Sequence, residues 1–107
     1  MIREIVNEDY EGLMKLYMRL HDNPFPEKDS KMEALWNRIL EDKDHHIIVA
    51  VEDGKIAASC VCVIIPNLTH GQRPYALIEN VITDEAFRKR GLATACLNYA
   101  REIAVRE

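Results

Sequence analysis

A basic stretch near the end of the chain runs directly into a glycine and then into a predicted helix. The residues are, in order, Arg88, Lys89, Arg90, Gly91, Leu92, Ala93 and Thr94. We call residues 88–91 the basic turn. The first N–H groups of a helix have no partner inside it and carry partial positive charge, and a glycine lets an anion approach the backbone closely. Basic residues at the start of a helix are unfavourable because they oppose the helix dipole. Their presence here is better explained by a bound anion than by helix stability. The residues alone leave two alternatives, an anion site and a solvated charged turn.

The elements upstream of the basic turn follow from the spacing of apolar residues. Residues 1–6 are predicted to form a short strand, and Asn7 or Asp9 offers an N-cap for a first helix. Two prolines within residues 24–26 end that helix, and a second helix begins at residue 29 or 30. The apolar faces of the two helices comprise Tyr10, Leu13, Met14, Tyr17 and Leu20, and Met32, Leu35, Trp36, Ile39 and Leu40.

The pattern changes to that of strands at Ile47. Residues 47–51 and 56–65 are apolar runs joined through Asp53 and Gly54, and Asp-Gly between two such runs indicates a hairpin. Their nearly continuous hydrophobicity indicates that both faces of the sheet are covered. A third long strand is predicted over Tyr75–Thr83, and a last helix follows the basic turn. The predicted order is strand, helix, helix, three strands, helix, in a single α/β or α+β domain spanning residues 1–107.

The cysteines and histidines show no metal-binding pattern. Cys60, Cys62 and Cys96 lie inside apolar segments, which is typical of buried structural thiols. His45 and His46 are adjacent at the start of a strand, where neighbouring side chains face opposite ways. We therefore expect no metal ion in this protein.

Charge and hydropathy exclude several classes of partner. The formal net charge of −4 argues against a nucleic-acid binder, because phosphate contacts need a basic face. The longest apolar run, residues 56–65, is far too short to cross a bilayer, and residues 1–6 lack the features of a signal peptide. A cytoplasmic protein with no membrane partner is the expectation.

The basic turn resembles the pyrophosphate-binding signature of the GNAT superfamily of N-acetyltransferases. That signature is Arg or Gln, two residues, Gly, one residue, then Gly or Ala, and Arg88, Gly91 and Ala93 occupy its fixed positions. The preceding strand, residues 77–83, is similar to the family's central strand, and the upstream order of elements agrees as well. The resemblance implies a GNAT-like mixed sheet and an acetyl-CoA-dependent enzyme that moves an acetyl group to a primary amine by direct attack.

The resemblance also assigns residues to the acetyl-CoA site. Backbone groups of Val81 and Thr83 would pair with the pantetheine arm as an added strand, and N–H groups from residue 88 to residue 94 would hold the pyrophosphate. A side chain of the basic turn would reach the 3′-phosphate. The implied cofactor-binding residues are Val81, Ile82, Thr83, Arg88, Lys89, Arg90, Gly91, Leu92, Ala93 and Thr94.

The resemblance further makes Glu79 the candidate general base. It would take a proton from the acceptor ammonium, directly or through water, while the amide of Val81 polarises the thioester carbonyl. The alternative for Glu79 is a solvated or ion-paired carboxylate. The acceptor pocket would be bordered by the loop of residues 21–26 and by Tyr75, residues that ordinary turn chemistry explains equally well.

The family fold continues beyond the last helix with another strand, a helix and a final hairpin, so residues 1–107 correspond to its N-terminal two-thirds. A helix in that later part commonly carries the tyrosine that protonates the leaving thiolate. Three explanations stay open: a piece of a longer protein, a natural truncation, and a homodimer in which a partner chain supplies the missing wall. The competing function is a non-catalytic CoA-binding or dimerising module derived from the same fold.

Overall fold

The computed structural model describes residues 1–21 and 28–106. The strands are β1 (Ile2–Glu4), β2 (His45–Glu52), β3 (Lys55–Ile65) and β4 (Tyr75–Thr83), and the helices are α1 (Tyr10–His21), α2 (Ser30–Glu41) and α3 (Leu92–Arg106). Short 3-10 turns lie at Asn7–Asp9, His70–Gln72 and Glu85–Phe87. The predicted fold class and order of elements are confirmed.

The four strands form one antiparallel sheet in the order β1-β2-β3-β4. Glu52 pairs with Lys55, so only Asp53 and Gly54 make the turn between β2 and β3. Both turn residues have positive φ, 51° and 74°, as a type I′ hairpin requires. The hairpin predicted from the Asp-Gly pair is therefore confirmed.

Helices cover the sheet from both sides. Helix α3 packs Cys96, Ala100 and Ile103 on the face that includes Ile48 and Cys60. Helices α1 and α2 pack on the opposite face, which has a core of Tyr10, Leu13, Trp36, Ile47, Val49 and Val61. Because β2 and β3 are buried on both faces, their continuous apolar sequence is explained as predicted.

The start of α1 differs from its prediction. The Asp9 carboxylate accepts hydrogen bonds from the Val6 N–H at 2.8 Å and from both terminal nitrogens of Arg3, at 2.7 and 3.0 Å. The Arg3 guanidinium thereby lowers the pKa of Asp9. The other candidate cap, Asn7, accepts from Trp36 Nε1 at 3.1 Å. The 3-10 turn runs directly into α1, so the N-cap position lies earlier, at Val6. The Asn7 and Asp9 side chains instead join α2 and β1 to this turn.

Two further details of the helices were incompletely predicted. Leu16 is 2% exposed and belongs to the buried face of α1, although its position was not included in that face. Asp29 is the N-cap of α2 and accepts from the Met32 N–H at 2.9 Å, which decides between the two candidate starts.

The buried thiols predict a loss of stability in alkali. Burial raises the pKa of Cys60 to about 12 and that of Cys96 to about 11. Folding raises these pKa values, so the neutral thiols stabilise the folded protein. This stabilisation is complete below the ordinary thiol pKa of about 8.5 and is lost progressively as pH rises from there through 11 to 12. We expect the free energy of unfolding to fall by up to about 2 kcal/mol per thiol by pH 10.

Urea unfolding at pH 7, 8.5 and 10 measures this slope. In the variant Cys96→Ala, the free energy of unfolding should fall less with pH than in the wild type. Each protein is compared with its own value at pH 7, so the constant cost of the cavity left by the substitution cancels. Equal slopes for the two proteins would contradict the assignment.

Candidate functional site

Strand β4 forms an edge of the sheet. It pairs with β3, and no strand pairs with its outer side within residues 1–21 and 28–106. Its side chains are far more exposed than those of β2 and β3, with Tyr75, Leu77, Ile78 and Val81 between 38% and 53% exposed. A free edge of this kind presents backbone N–H and C=O groups that can pair with an extended ligand.

A β-bulge interrupts β4 in its second half. Ser59 pairs with Ile82 and Val61 pairs with Glu79, so Asn80 and Val81 together stand opposite a single residue of β3, Cys60. Asn80 has a positive φ of 51°. A bulge bends the strand and leaves the extra residue out of the ladder, which changes the direction of the backbone groups around Val81.

The exit from β4 is held by main-chain and side-chain hydrogen bonds. The Asp84 N–H donates to the Ala57 carbonyl at 2.8 Å, and the Asp84 side chain accepts from the Ala86 N–H at 3.0 Å. The Asp84 carbonyl accepts from the Phe87 N–H at 2.9 Å. These bonds fix the path from the edge strand to the basic turn.

The basic turn has two residues in the left-handed region, Lys89 with φ 66° and Gly91 with φ 75°. The Gly91 carbonyl accepts from the Ala95 N–H at 3.0 Å, so Gly91 directly precedes the first turn of α3. The N–H groups of Leu92, Ala93 and Thr94 therefore have no acceptor inside the helix. A Cβ built on Gly91 would meet no atom within 4 Å, so the glycine faces open space beside these donors.

Three basic residues directly precede Gly91 in the chain, and their side chains lie on the protein surface. Arg88, Lys89 and Arg90 are all exposed. The Arg90 guanidinium lies over the Phe87 ring, 5.1 Å from its centroid, a cation–π contact that restrains the side chain. An anion here would meet both free helix N–H groups and mobile positive charge.

Glu79 lies on β4 directly before the bulge. It is exposed and forms no salt bridge with another residue of the described ranges. Its cross-strand partner, Val61, belongs to the core under α1 and α2, which places Glu79 on that side of the sheet. Tyr75 lies exposed at the start of β4, whereas the loop predicted to border the acceptor pocket includes residues 22–27, which are outside the described residues.

The sequence-predicted residues thus follow one continuous path. Val81, Ile82 and Thr83 end the edge strand, the basic turn follows a one-turn connection, and Leu92 to Thr94 open α3. The path combines a free strand edge with a helix N-terminus, and this combination suits a long ligand with an anionic end.

Comparisons with known proteins identify the family and the fold. A family model described as "Acetyltransferase (GNAT) family" matches residues 5–107. The chain belongs to this family. A search of the curated proteins found no significant match.

Solved structures of GNAT and other proteins share the fold. A protein from Agrobacterium tumefaciens str. C58 described as an acetyltransferase is 37% identical and superposes with a TM-score of 0.90, over 98% of this chain and 73% of its own. Two others are 23% identical and show the fold alone: a transcriptional regulator from Bacillus halodurans C-125 (TM-score 0.89, 99% and 74% covered) and glucosamine-6-phosphate N-acetyltransferase from Arabidopsis thaliana (TM-score 0.83, 95% and 71%).

Sequence reasoning missed three features of the site. Asparagine is one of the few residues that adopt positive φ readily, so Asn80 inside an apolar strand was a usable signal for the bulge. The left-handed conformation of Lys89 has no such signal. The contact between Arg90 and Phe87 depends on the connection between them, whose shape the sequence pattern does not specify.

Across residues 1–21 and 28–106, no group of three or more His, Cys, Asp and Glu side chains is arranged to hold a metal ion. Within the same ranges, no helix has the length and apolarity needed to cross a bilayer.

The conformation of Gly91 predicts a specific pattern of stability. An alanine there must adopt a φ of 75°, which costs about 1 to 2 kcal/mol of folding free energy, and no steric clash adds to that cost. Asparagine tolerates this region better. We expect urea unfolding to rank the proteins as wild type, Gly91→Asn and Gly91→Ala in order of decreasing stability, and an alanine variant as stable as the wild type would refute the strain.

Proposed function

We propose that this protein is an acetyl-CoA-dependent N-acetyltransferase that transfers the acetyl group to a primary amine by direct attack. The observation that carries the proposal is the path from a free, bulged strand edge into the open N-terminus of α3 beside three basic residues. Membership of the GNAT acetyltransferase family supports acetyl-CoA as the donor.

The pantetheine arm pairs with the outer edge of β4 in this proposal. Backbone groups of Val81 and Thr83, with Ile82 between them, supply the hydrogen bonds, because the ladder with β3 occupies only one side of the strand. The bulge separates this region from Glu79 and redirects the Val81 N–H, the group assigned to the thioester carbonyl.

The pyrophosphate lies against the free N–H groups that open α3. Gly91 suits that role because its missing Cβ leaves open space where a phosphate must approach. The residues assigned to the phosphates are Arg88, Lys89, Arg90, Gly91, Leu92, Ala93 and Thr94. Arg90, which contacts the Phe87 ring, and the neighbouring Arg88 and Lys89 serve the pyrophosphate and the 3′-phosphate.

The amine reacts on the side of the sheet that carries Glu79. The carboxylate accepts a proton from the ammonium, and the neutral nitrogen then attacks the acetyl carbonyl carbon. The carbon–sulfur bond breaks, the thiolate leaves with the electron pair, and the proton that the attacking nitrogen releases protonates the thiolate. The net charge of −4 favours a cationic acceptor. The proposal also includes a cytoplasmic location and a homodimer.

Titration calorimetry with acetyl-CoA tests the donor site. We expect Arg88→Ala to weaken binding about tenfold, the loss of one charge-assisted hydrogen bond. Arg101→Ala removes an exposed arginine of α3 outside the site and should bind acetyl-CoA like the wild type. Similarly, Gly91→Ala should weaken binding, whereas Gly54→Ala, at another open position with a positive φ of 74°, should reduce stability alone. Equal affinities for Gly91→Ala and Gly54→Ala would contradict the phosphate site.

Release of free thiol with a panel of primary amines tests the reaction. We expect Glu79→Gln to lower kcat/KM about 100-fold near neutrality, and the loss should shrink as pH approaches the pKa of the amine, because a neutral amine needs no base. Glu102→Gln, an exposed change on α3, is the matched control. A pH–rate profile unchanged by Glu79→Gln would make the base assignment wrong. Binding of acetyl-CoA without turnover for any amine would favour a non-catalytic CoA-binding module instead.

A further inference from the structure

The hydroxyl of Tyr17 is a buried polar group that the proposed reaction does not use. Tyr17 lies on the face of α1 that packs on the sheet. Its hydroxyl oxygen is shielded from solvent and has no hydrogen-bond partner among the described residues. A phenylalanine would fill the same space without leaving a polar atom unpaired. Stability therefore does not explain the hydroxyl, and another role must account for it.

Two polar side chains lie beside this hydroxyl, Ser59 of β3 and Asn80 of the bulge. Burial raises the pKa of Tyr17 to about 12, and both neighbours act in the opposite direction. The phenol therefore stays protonated at neutral pH and is available as a hydrogen-bond donor.

Ser59 and Asn80 differ in their freedom to move. Ser59 is fully buried, and its hydroxyl is held by a 2.8 Å hydrogen bond to the Ile48 carbonyl. Asn80 is exposed and lies at the free edge of the sheet. Exposed side chains change rotamer within nanoseconds, so Asn80 can turn its amide oxygen to the phenol while Ser59 stays in place.

We propose that Tyr17 is a positioning residue for the β4 bulge, donating its hydroxyl hydrogen bond to the Asn80 amide oxygen. This inference rests on the proposed function, because the bulge matters as the place where the acyl donor is held. The hydroxyl is shielded from solvent and acts through Asn80, whose left-handed backbone conformation sets the direction of the neighbouring Val81 N–H.

The variant Tyr17→Phe separates positioning from a structural role. We expect its melting temperature to stay close to that of the wild type, because the phenylalanine ring fills the same space and water can take the place of the phenol at the exposed Asn80 amide. Amide hydrogen exchange at Asn80 and Val81 should be about threefold or more faster in the free protein, since the bulge loses a restraint. With acetyl-CoA and a reactive amine, kcat should fall about tenfold while the KM for acetyl-CoA stays within about twofold.

Two further variants make the test specific. Tyr10→Phe removes another buried, unpartnered hydroxyl from the same face of α1, next to Trp36, and should leave exchange at the bulge and kcat unchanged. Asn80→Gly keeps the positive φ without strain and removes the side-chain amide. The double variant with Tyr17→Phe should therefore show the same amide hydrogen exchange at the bulge as Asn80→Gly alone.

The outcomes distinguish this inference from the proposed function. Unchanged exchange in Tyr17→Phe, additive effects with Asn80→Gly, or the same kcat loss in Tyr10→Phe would each overturn the role of Tyr17. A wild type that neither binds nor turns over acetyl-CoA would overturn the proposed function, and the exchange measurements on the free protein would still decide whether Tyr17 restrains the bulge.

Discussion

The arrangement of the molecule depends on β3, which is paired on both edges and covered on both faces. It is hydrogen-bonded to β2 on one side and β4 on the other, and helices cover both of its faces. Such a strand fixes its neighbours rigidly, because a shift of one residue would turn apolar side chains from one core to the other. The position of β4 follows from this constraint, and so does the open edge that leads into the basic turn. The bulge opposite Cys60 is tolerated because it lies on the edge strand, where only one ladder is disturbed.

Much of this fold could be predicted because the apolar patterns of the strands and helices agree with their local turn signals. The Asp53-Gly54 turn, the limits of β4 and the helix after the basic turn were all readable from the sequence. The partners of Asp9 were not, because a carboxylate before a helix serves equally as a cap or as an ion-pair partner, and Arg3 of β1 decides between them. The positive φ of Lys89 was equally hidden, since the tight connection to α3 imposes it against the residue's own preference.

Several locally unfavourable features lie along β4 and its exit. Asn80 and Lys89 have left-handed backbones, the Tyr17 hydroxyl beside Asn80 is unpaired, and β4 exposes several apolar side chains. Strands β2 and β3, by contrast, are well packed between the helices. Proteins commonly combine a packed scaffold of this kind with a site whose residues are chosen for contacts with a ligand. The family relationship is consistent with this division, because family members share the scaffold while their substrates depend on the side chains placed on it.

The meander order of the sheet also bears on how the chain acquires its structure. Strands β2, β3 and β4 are consecutive and are followed directly by α3, so the strand edge and the helix start form from contacts between neighbouring segments. In contrast, β1 reaches β2 only across both other helices, with the Met1 carbonyl accepting from the Val51 N–H at 2.8 Å. Contacts between segments close in the chain form faster because they close shorter loops. The part that carries the site is therefore expected to assemble early, with the N-terminal strand joining as the late, slow step of folding.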